Sequence, residues 1–239
     1  MLEVKGVSKR FGGLVAVNDV SMSVANAEIV ALIGPNGAGK TTLFNLIAGA
    51  LPRDSGEVVF DGRVLPRLGS AATCLAGLAR TYQIPQLFTS MTVLDTVLVA
   101  GLCRGASIYE ARARAMEVLA RVGLNGREAH ACTALTISGK KRLEIARALA
   151  TRPRVLLLDE VMAGLNFSEV NGLLDMIRAL RADGMTILLV EHNIDAVLNV
   201  ADRVIVLDQG QKIADGLPRD VLSQPEVIRS YLGDGYAVA

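Results

Sequence analysis

The fold of this chain is decided by the stretch Glu28-Ile29-Val30-Ala31-Leu32-Ile33-Gly34-Pro35-Asn36-Gly37-Ala38-Gly39-Lys40-Thr41. Its first part, residues 28–33, is a compact aliphatic and β-branched run that predicts a buried strand. Its second part fits the pattern G-x-x-x-x-G-K-[ST], and residues 41–48 predict a helix directly after it. Glycines let backbone N–H groups turn inward around phosphates, and a helix N-terminus favours negative charge. The stretch therefore predicts a phosphate-binding loop for a nucleoside triphosphate.

The loop and the start of the helix contain the candidate ligands of ATP and of a metal ion. Lys40 is expected to reach the β- and γ-phosphates, and the Thr41 hydroxyl to ligate Mg²⁺. Further contacts to the nucleotide are expected from Gly34, Asn36, Gly37, Gly39 and Thr42. The alternative is an ordinary glycine-rich turn, which the preceding strand and the following helix disfavour.

Two more apolar strands end in polar side chains. Residues 155–158 are four aliphatics followed by Asp159 and Glu160. Asp159 is expected to bind Mg²⁺, and Glu160 to polarise or deprotonate the attacking water, provided that this strand lies beside the phosphate loop. His192 follows the apolar run 188–190 and is expected to contact the γ-phosphate. The alternatives are a solvated strand end for the two acids and a structural role for His192.

Composition excludes several classes of protein. The longest stretch without a charged side chain is residues 81–94, which is shorter than the roughly 20 residues of a membrane-spanning helix. No basic, apolar and small-residue run opens the sequence, so a secretory signal is not expected. Cys74, Cys103 and Cys132 are too scattered for a disulfide or zinc framework, which favours a reducing cytosol. Lys plus Arg is 25 and Asp plus Glu is 24, so there is no basic excess for nucleic acid.

The order of the predicted elements indicates the fold class. Residues 2–8 and 16–24 predict strands, and residues 84–150 have a helical pattern that includes a capping box at Ser107 and Glu110. Strands and a helix alternate again after residue 155, and residues 204–214 predict a closing hairpin. We therefore expect an α/β fold: a P-loop NTPase core with a mostly parallel sheet, an N-terminal antiparallel β portion and an inserted helical subdomain. The whole chain, 1–239, is expected to be one domain, with the helical subdomain at about 84–150.

These motifs, in this order, resemble the ATP-binding subunits of ABC transporters. The resemblance extends from Val7-Ser8-Lys9-Arg10-Phe11-Gly12 to Asp215-Gly216. It implies that Phe11 stacks on adenine, and that Gln83 joins the Mg²⁺ and water shell and links the core to the helical insert. Without the resemblance, Phe11 would be interpreted as a hydrophobic plug and Gln83 as an ordinary loop residue. It also implies that Ala163-Gly164-Leu165-Asn166 crosses to a partner subunit, with Asn166 where aspartate is commoner.

Within the family, three stretches resemble the branch that imports branched-chain or hydrophobic amino acids: Phe11-Gly12-Gly13-Leu14-Val15-Ala16-Val17-Asn18, Thr42-Leu43-Phe44-Asn45-Leu46-Ile47 and Asp159-Glu160-Val161-Met162-Ala163-Gly164-Leu165-Asn166. The resemblance implies a Mg²⁺-dependent ATPase at the cytoplasmic face of the membrane. Its partners are expected to be transmembrane permease subunits, a second identical or related ATP-binding subunit and, indirectly, a solute-binding protein.

One family motif departs from its usual form. The signature Leu-Ser-Gly-Gly-Gln corresponds to Leu135-Thr136-Ile137-Ser138-Gly139. Thr136 keeps a hydroxyl, whereas Ser138 replaces a glycine whose backbone faces the partner's nucleotide and could obstruct it if φ there is positive. Either the variant signature still works, or the composite site is weakened. The second possibility keeps open a nucleotide-gated regulatory subunit with little or no turnover.

Two other classes and one surface complete the expectations. A soluble ABC-type ATPase of DNA repair or translation is disfavoured because tandem domains, coiled-coil insertions and a basic patch are missing from the sequence. A GTPase or small-molecule kinase is disfavoured because no Asn-Lys-x-Asp motif occurs. Residues 84–100 are apolar for a loop, which indicates either core packing or a docking groove for a cytoplasmic helix of the permease.

Overall fold

A computed structural model describes residues 1–232 of the chain. Its strands are β1 (Leu2–Phe11), β2 (Leu14–Val24), β3 (Ile29–Ile33), β4 (Ser55–Phe60), β5 (Arg63–Val64), β6 (Leu78–Arg80), β7 (Val155–Asp159), β8 (Thr186–Val190), β9 (Arg203–Asp208) and β10 (Gln211–Gly216). Its α-helices are α1 (Lys40–Ile47), α2 (Ser70–Ala76), α3 (Val93–Gly101), α4 (Ile108–Arg121), α5 (Ile137–Ala150), α6 (Phe167–Ala182), α7 (Ile194–Val200), α8 (Pro218–Leu222) and α9 (Pro225–Leu232). Residues 233–239 of the predicted domain lie outside the described residues.

The strands form two sheets, as the sequence predicts. The N-terminal sheet has the order β2-β1-β4-β5 and is antiparallel. The second sheet has the order β10-β9-β3-β8-β7-β6, and all its neighbouring strands are parallel except β9 and β10, which form the closing hairpin. The predicted α/β fold with a P-loop core is confirmed.

The second sheet is buried on both faces. Alternate residues of β3 belong to different core clusters: Ile29, Ala31 and Ile33 pack with the helices α3 to α6, whereas Val30 and Leu32 pack with α1 and the N-terminal sheet. This double burial explains why the strand sequences are continuously apolar and do not alternate with polar residues. Because β3, β8 and β7 are parallel, their carboxyl ends lie at one edge of the sheet.

The strand that carries Asp159 is not a direct neighbour of the phosphate-loop strand. The sequence leaves this pairing as a condition, and the structure places β8 between β3 and β7. The strand that precedes His192, β8, therefore pairs directly with β3. Because all three strands are parallel and their carboxyl ends lie at the same edge, the intervening strand still leaves the polar side chains on one side of the sheet.

The helical insert begins later than the sequence indicates. Residues 84–92 do not form a helix, since α3 starts at Val93, and the Thr92 hydroxyl accepts a hydrogen bond from the Asp95 amide there. The predicted capping box at Ser107 and Glu110 does open α4. The strands β4 and β6 and the helix α2 are not predicted from the sequence. The helices α3 to α5 lie between β6 and β7, and the single-domain description with a subdomain at 84–150 stays a prediction.

Among residues 1–232, no helix is both long and apolar enough to cross a bilayer.

Candidate functional site

Two glycines of the phosphate loop, Gly34 and Gly39, have positive φ angles and close neighbours that exclude a side chain. Gly34 has φ +145°, and a Cβ there would lie 2.0 Å from the carbonyl oxygen of Leu207. Gly39, the N-cap of α1, has φ +98°, and a Cβ there would lie 2.3 Å from the carbonyl oxygen of Ala16. The loop backbone therefore packs directly against β9 on one side and β2 on the other, and only glycine meets both demands.

Lys40 is folded into the hollow of the loop. Its side chain is buried, and its ammonium donates hydrogen bonds to the carbonyl oxygens of Gly34 at 2.7 Å and Pro35 at 2.8 Å. Burial lowers the pKa of Lys40, while the Glu160 carboxylate acts in the opposite direction. The structure thus places a cation inside a ring of loop backbone, which is an arrangement suited to phosphate.

A second turn contacts the phosphate loop, and sequence reasoning did not foresee it. The turn between β9 and β10 contains Gln209 and Gly210, whose backbone N–H donates to the Ala38 carbonyl at 3.0 Å. Its own carbonyl accepts a hydrogen bond from the Asn18 amide at 2.8 Å. In the sequence, Gln209 and Gly210 indicate only a hairpin turn. Its proximity to the loop arises because β9 pairs with β3.

The three predicted catalytic side chains meet at Glu160. His192 Nε2 lies 2.8 Å from Glu160 Oε1, and Gln83 Nε2 donates to Glu160 Oε2 at 2.5 Å. An ionised carboxylate only accepts hydrogen bonds, so the tautomer of His192 that suits an ionised Glu160 is the one with a proton on Nε2. Glu160 also has φ +47°, a conformation that non-glycine residues adopt rarely and that is concentrated at active sites.

Asp159 is buried beside Arg80, a residue to which the sequence assigns no role. Arg80 Nη2 lies 3.3 Å from Asp159 Oδ2, and Arg80 also bonds Asn45 on α1 and stacks on the Tyr82 ring at 4.6 Å. Burial raises the pKa of Asp159, and the Arg80 guanidinium lowers it. The contact ties the strand end of β7 to α1. No sequence pattern signals it, because it depends on β6 pairing with β7.

An open cavity of about 590 Å³ brings most of the predicted nucleotide-binding residues together. The lining residues that the sequence predicts as site residues are Phe11, Asn36, Gly37, Gly39, Lys40, Thr41, Thr42, Glu160 and His192. The other lining residues are Leu14, Val15, Ala16, Ala38 and Gln209. Phe11 lies at one end with its ring about half exposed, and the Lys9 ammonium lies 5.5 Å from the ring centre. The cavity therefore joins a cationic phosphate loop to an exposed aromatic ring.

Thr136 and Ser138 do not line this cavity. They border a separate pocket together with Glu169 of α6. Thr136 is the N-cap of α5, and its hydroxyl accepts a hydrogen bond from the Gly139 amide at 3.2 Å. Ser138 lies inside the first turn of that helix and is not among the residues with positive φ. The left-handed conformation that would make a side chain costly here is therefore not present.

Asn166, at the end of the predicted crossing loop, has a local structural role. Its side chain accepts a hydrogen bond from the Glu169 amide at 3.0 Å, and the Glu169 carboxylate accepts one from the Asn166 amide. This capping box opens α6. Asparagine and aspartate are both good N-cap residues, so the departure from aspartate leaves the helix start unchanged.

The apolar segment 84–100 divides into two parts. Val93, Leu94, Val97 and Leu98 are buried in the core, as one interpretation predicts. Ile84 is 73% exposed and Phe88 46%, and the Arg147 guanidinium lies 5.4 Å from the Phe88 ring centre. The exposed part therefore keeps the second interpretation, a docking surface, as a prediction.

Glu191 is a buried carboxyl beside the predicted catalytic side chains Glu160 and His192, and we expect its replacement by glutamine to flatten the pH dependence of stability. Burial raises the pKa of Glu191 from 4.5 to about 7; Lys141 lowers it and Glu160 raises it further. The folded protein thus retains a proton that the unfolded chain releases above pH 4.5, and stability falls as pH rises from about 4.5 to about 7. In the wild-type chain the Met162 amide donates a hydrogen bond to Glu191 at 2.9 Å. The side chain in Glu191→Gln keeps an oxygen that can accept this bond, but it does not titrate.

The measurement is the free energy of unfolding in urea at pH 5, 6, 7 and 8. Wild type is expected to lose about 2–3 kcal/mol more than Glu191→Gln between pH 5 and pH 8. Glu117→Gln, which removes an exposed carboxylate of α4, serves as the control and should follow wild type. Parallel profiles for wild type and Glu191→Gln would contradict the prediction.

Two family models match the chain. Residues 17–163 match the model described as ABC transporter, and residues 211–237 match the model described as branched-chain amino acid ATP-binding cassette transporter. Among similar proteins are the high-affinity branched-chain amino acid transport ATP-binding proteins BraF of Pseudomonas aeruginosa, 38% identical, and LivG of Escherichia coli, 39% identical. The lipopolysaccharide export system ATP-binding protein LptB of Escherichia coli is 34% identical. Each comparison covers 98% of both chains.

Solved structures resemble the chain along nearly its whole length. A nucleotide-free ATP-binding cassette from an ABC transporter has a TM-score of 0.89 and 32% identity, over 98% of this chain and 99% of the other. A dimeric ATP-binding cassette in a post-hydrolysis state, bound to ADP and Pi, has a TM-score of 0.82 and 27% identity, over 92% of this chain and 99% of the other.

Proposed function

Because this chain belongs to the family of ABC transporter ATP-binding subunits, we propose that it hydrolyses ATP to energise the import of branched-chain amino acids or similar small solutes through a separate permease. The solute class is supported by the names of the relatives that are 38% and 39% identical and by the C-terminal match at residues 211–237. The observation that carries the proposal is the meeting of the phosphate loop, Glu160 and His192 in one cavity. A regulatory subunit without turnover is not favoured.

ATP binding is assigned to the two ends of the cavity. Lys40 and the loop amides neutralise the β- and γ-phosphates, since the ammonium already lies within the loop and a helix N-terminus favours negative charge. Phe11 stacks on the adenine at the other end, where its exposed ring offers an apolar face. Asn36, Gly37, Gly39 and Thr42 line the wall between these ends.

The residues present fit Mg²⁺ as the metal. Among residues 1–232 no cluster of three or more His, Cys, Asp or Glu side chains could hold a metal ion by itself. Mg²⁺ differs from metals that need such cages, because it binds through one or two protein oxygens together with substrate phosphates and water. Thr41 and Asp159 supply oxygens of that kind, and Gln83 adds an amide oxygen. When bound, the ion neutralises charge that develops on the phosphates.

The hydrolytic step is assigned to Glu160. Its carboxylate orients the attacking water or accepts a proton from it, and the negative charge that develops on the γ-phosphate is stabilised by Lys40. His192 and Gln83 each bond one oxygen of Glu160, so they fix the orientation of the carboxylate before water arrives. A contact of His192 with the γ-phosphate is also proposed, and it is supported by the position of His192 in the lining of the same cavity as the phosphate loop.

A second ATP-binding subunit is expected to complete the site. Thr136 and Ser138 lie in a pocket separate from the phosphate loop, so within one chain they line a different surface from the nucleotide cavity. A head-to-tail pair would bring this helix N-terminus to the partner's γ-phosphate, where the helix dipole favours negative charge. A dimeric cassette among the similar structures supports such a pair, which is formed by two copies or by one copy and a related subunit.

The permease is proposed to dock on the surface next to Gln83. A groove of about 280 Å³ there is bordered by Ser70, Cys74, Tyr82, Ala100, Arg147 and Thr151. It adjoins the exposed Ile84 and Phe88, which offer apolar area to a helix of the partner. Through the permease the chain would lie at the cytoplasmic face of the membrane and act, indirectly, with a solute-binding protein.

The altered signature is expected to support turnover, and Ser138→Gly tests this. Because Ser138 is helical and does not have a positive φ, a glycine relieves no strain there and only loosens the first turn of α5. The substitution should change the ATP hydrolysis rate by less than about threefold, within the cost of one glycine in a helix. A rise of tenfold or more in phosphate release would show that the serine obstructs the composite site.

The decisive experiment is uptake into proteoliposomes that contain this chain and the permease complex with which it co-purifies. Radiolabelled leucine is expected to accumulate only with ATP and Mg²⁺ on the side of this chain. The same vesicles with Lys40→Ala provide the matched control. ATP hydrolysis without uptake of any branched-chain amino acid would contradict the solute class, and no hydrolysis in the complete complex would contradict the proposed activity.

A further inference from the structure

One face of α5 is directed at the catalytic cluster. Lys141, Glu144 and Arg147 are spaced by three residues, which places them on the same side of the helix. The Lys141 ammonium donates to the backbone carbonyl of Glu160 at 2.9 Å. Arg147 donates to the backbone carbonyl of Gln86. The helix whose first turn carries Thr136 and Ser138 therefore contacts both the proposed base and the segment that follows Gln83.

Glu144 connects α5 to the segment around Gln83 through two hydrogen bonds. It is 4% exposed, and both carboxylate oxygens are used: Oε2 accepts the Tyr82 amide at 3.0 Å and Oε1 accepts the Gln86 amide at 3.0 Å. The two bonds lie on either side of Gln83 in the chain. Burial raises the pKa of Glu144, whereas the two backbone bonds and the nearby Arg147 and Lys141 lower it.

The segment around Gln83 depends on these side chains for its conformation. In the described structure, residues 82–87 take part in no backbone-to-backbone hydrogen bond. A loop without such bonds has many alternative conformations of similar free energy, and a buried carboxylate that accepts two amides selects one of them. Gln83, whose own side chain is exposed, bonds Glu160 from this selected conformation.

We propose that Glu144 is the positioning residue of Gln83. Its carboxylate holds the segment 82–86 on α5 so that the Gln83 amide meets Glu160, and a displacement of α5 at its Thr136 end is passed to Gln83. The inference rests on the proposed function, because it assigns Gln83 a part in ATP hydrolysis. Glu144 itself lies behind the loop and acts only through Gln83.

The first test is a double-mutant cycle in the full-length chain. Glu144→Gln is isosteric, but its amide can accept only one of the two backbone N–H groups and presents its own NH₂ to the other. We expect kcat for ATP hydrolysis to fall about 10-fold to 100-fold, as for other small misplacements of catalytic groups, with KM for ATP within twofold of wild type. In a Gln83→Ala background, Glu144→Gln should change kcat by less than about twofold.

Two results would overturn the positioning role. One is an equal loss of kcat in both backgrounds, which would mean that Glu144 acts independently of Gln83. The other is a rise in KM that parallels the fall in kcat, which would indicate general damage to the nucleotide site. Glu117→Gln, on the exposed surface of α4, is the matched control for the removal of a helix carboxylate.

Hydrogen–deuterium exchange tests the same role without relying on activity. In wild type, the Tyr82 and Gln86 amides should exchange more slowly than those of Gln83 and Ile84, because only the first pair bonds Glu144. Equal exchange at all four amides would contradict the inference, even if Glu144→Gln fails to fold. Absence of ATP hydrolysis in wild type would instead contradict the proposed function, so the two failures are distinguishable.

Discussion

Glu160→Gln is expected to abolish nearly all ATP hydrolysis and to leave ATP binding intact. Removal of a general base typically costs about 10²–10⁴ in rate, whereas the contacts of Lys40 with the loop are not changed by this substitution. Glutamine has the shape of glutamate but cannot accept a proton from water at neutral pH, and it can accept from only one of His192 and Gln83. ATP should therefore persist between two subunits, and an ATP-bound dimer should accumulate.

Two measurements check this prediction. Phosphate release gives the loss of turnover, and light scattering after gel filtration, with and without saturating ATP, gives the mass. Glu117→Gln should hydrolyse ATP like wild type and show no added dimer. A Glu160→Gln variant that turns over at the wild-type rate would remove Glu160 from the mechanism, and one that stays monomeric in saturating ATP would exclude closure of the pair around the nucleotide.

Lys40→Ala is expected to weaken ATP binding by about 10-fold to 150-fold. This range corresponds to about 1.5–3 kcal/mol, the usual contribution of a charge-assisted hydrogen bond, in a site where the ammonium is buried among backbone groups. The substitution also leaves the Gly34 and Pro35 carbonyls without their donor, which should loosen the loop.

Titration with a fluorescent ATP analogue measures the affinity of this variant, and thermal unfolding shows whether the fold persists. Lys5→Ala, at an exposed lysine of β1, is the control and should bind like wild type. The combination Lys40→Ala with Glu160→Gln adds a further check. If the dimer forms because ATP is retained, the double variant should stay monomeric at ATP concentrations that dimerise Glu160→Gln alone.

Much of the fold follows from local sequence because its central strands are short and wholly apolar. Strands β3, β7 and β8 and the hairpin of β9 and β10 lie where the sequence predicts them. The strands that the sequence does not predict were missed for a common reason. Strand β6 has three residues and β4 begins with exposed positions, so neither has a pattern of its own. The segment 84–92 is not helical; in it Leu87 packs against the core, whereas Ile84 and Phe88 are exposed.

The features of the candidate site also fall into two groups, those that the sequence identifies and those that only the tertiary structure identifies. Contiguous motifs identify the phosphate loop and the Asp159–Glu160 pair, since their chemistry requires adjacent residues. The contacts of Arg80 with Asp159, of Gly210 with Ala38 and of Glu144 with the Gln83 segment have no motif. Each joins residues that are far apart in the sequence, and each depends on which strand pairs with which or on how α5 packs.

By itself, the sequence determined that this protein has a phosphate loop on a buried strand, an acidic pair at another strand end and the α/β class that joins them. Local residue chemistry suffices for this, because glycines, a lysine and aliphatic runs act within a few residues. Only the tertiary structure decided that β8 separates β3 from β7, that Ser138 is helical, and that one face of α5 contacts both Glu160 and the Gln83 segment. Those outcomes arise from the packing of distant segments, whose relative positions are set by the whole core.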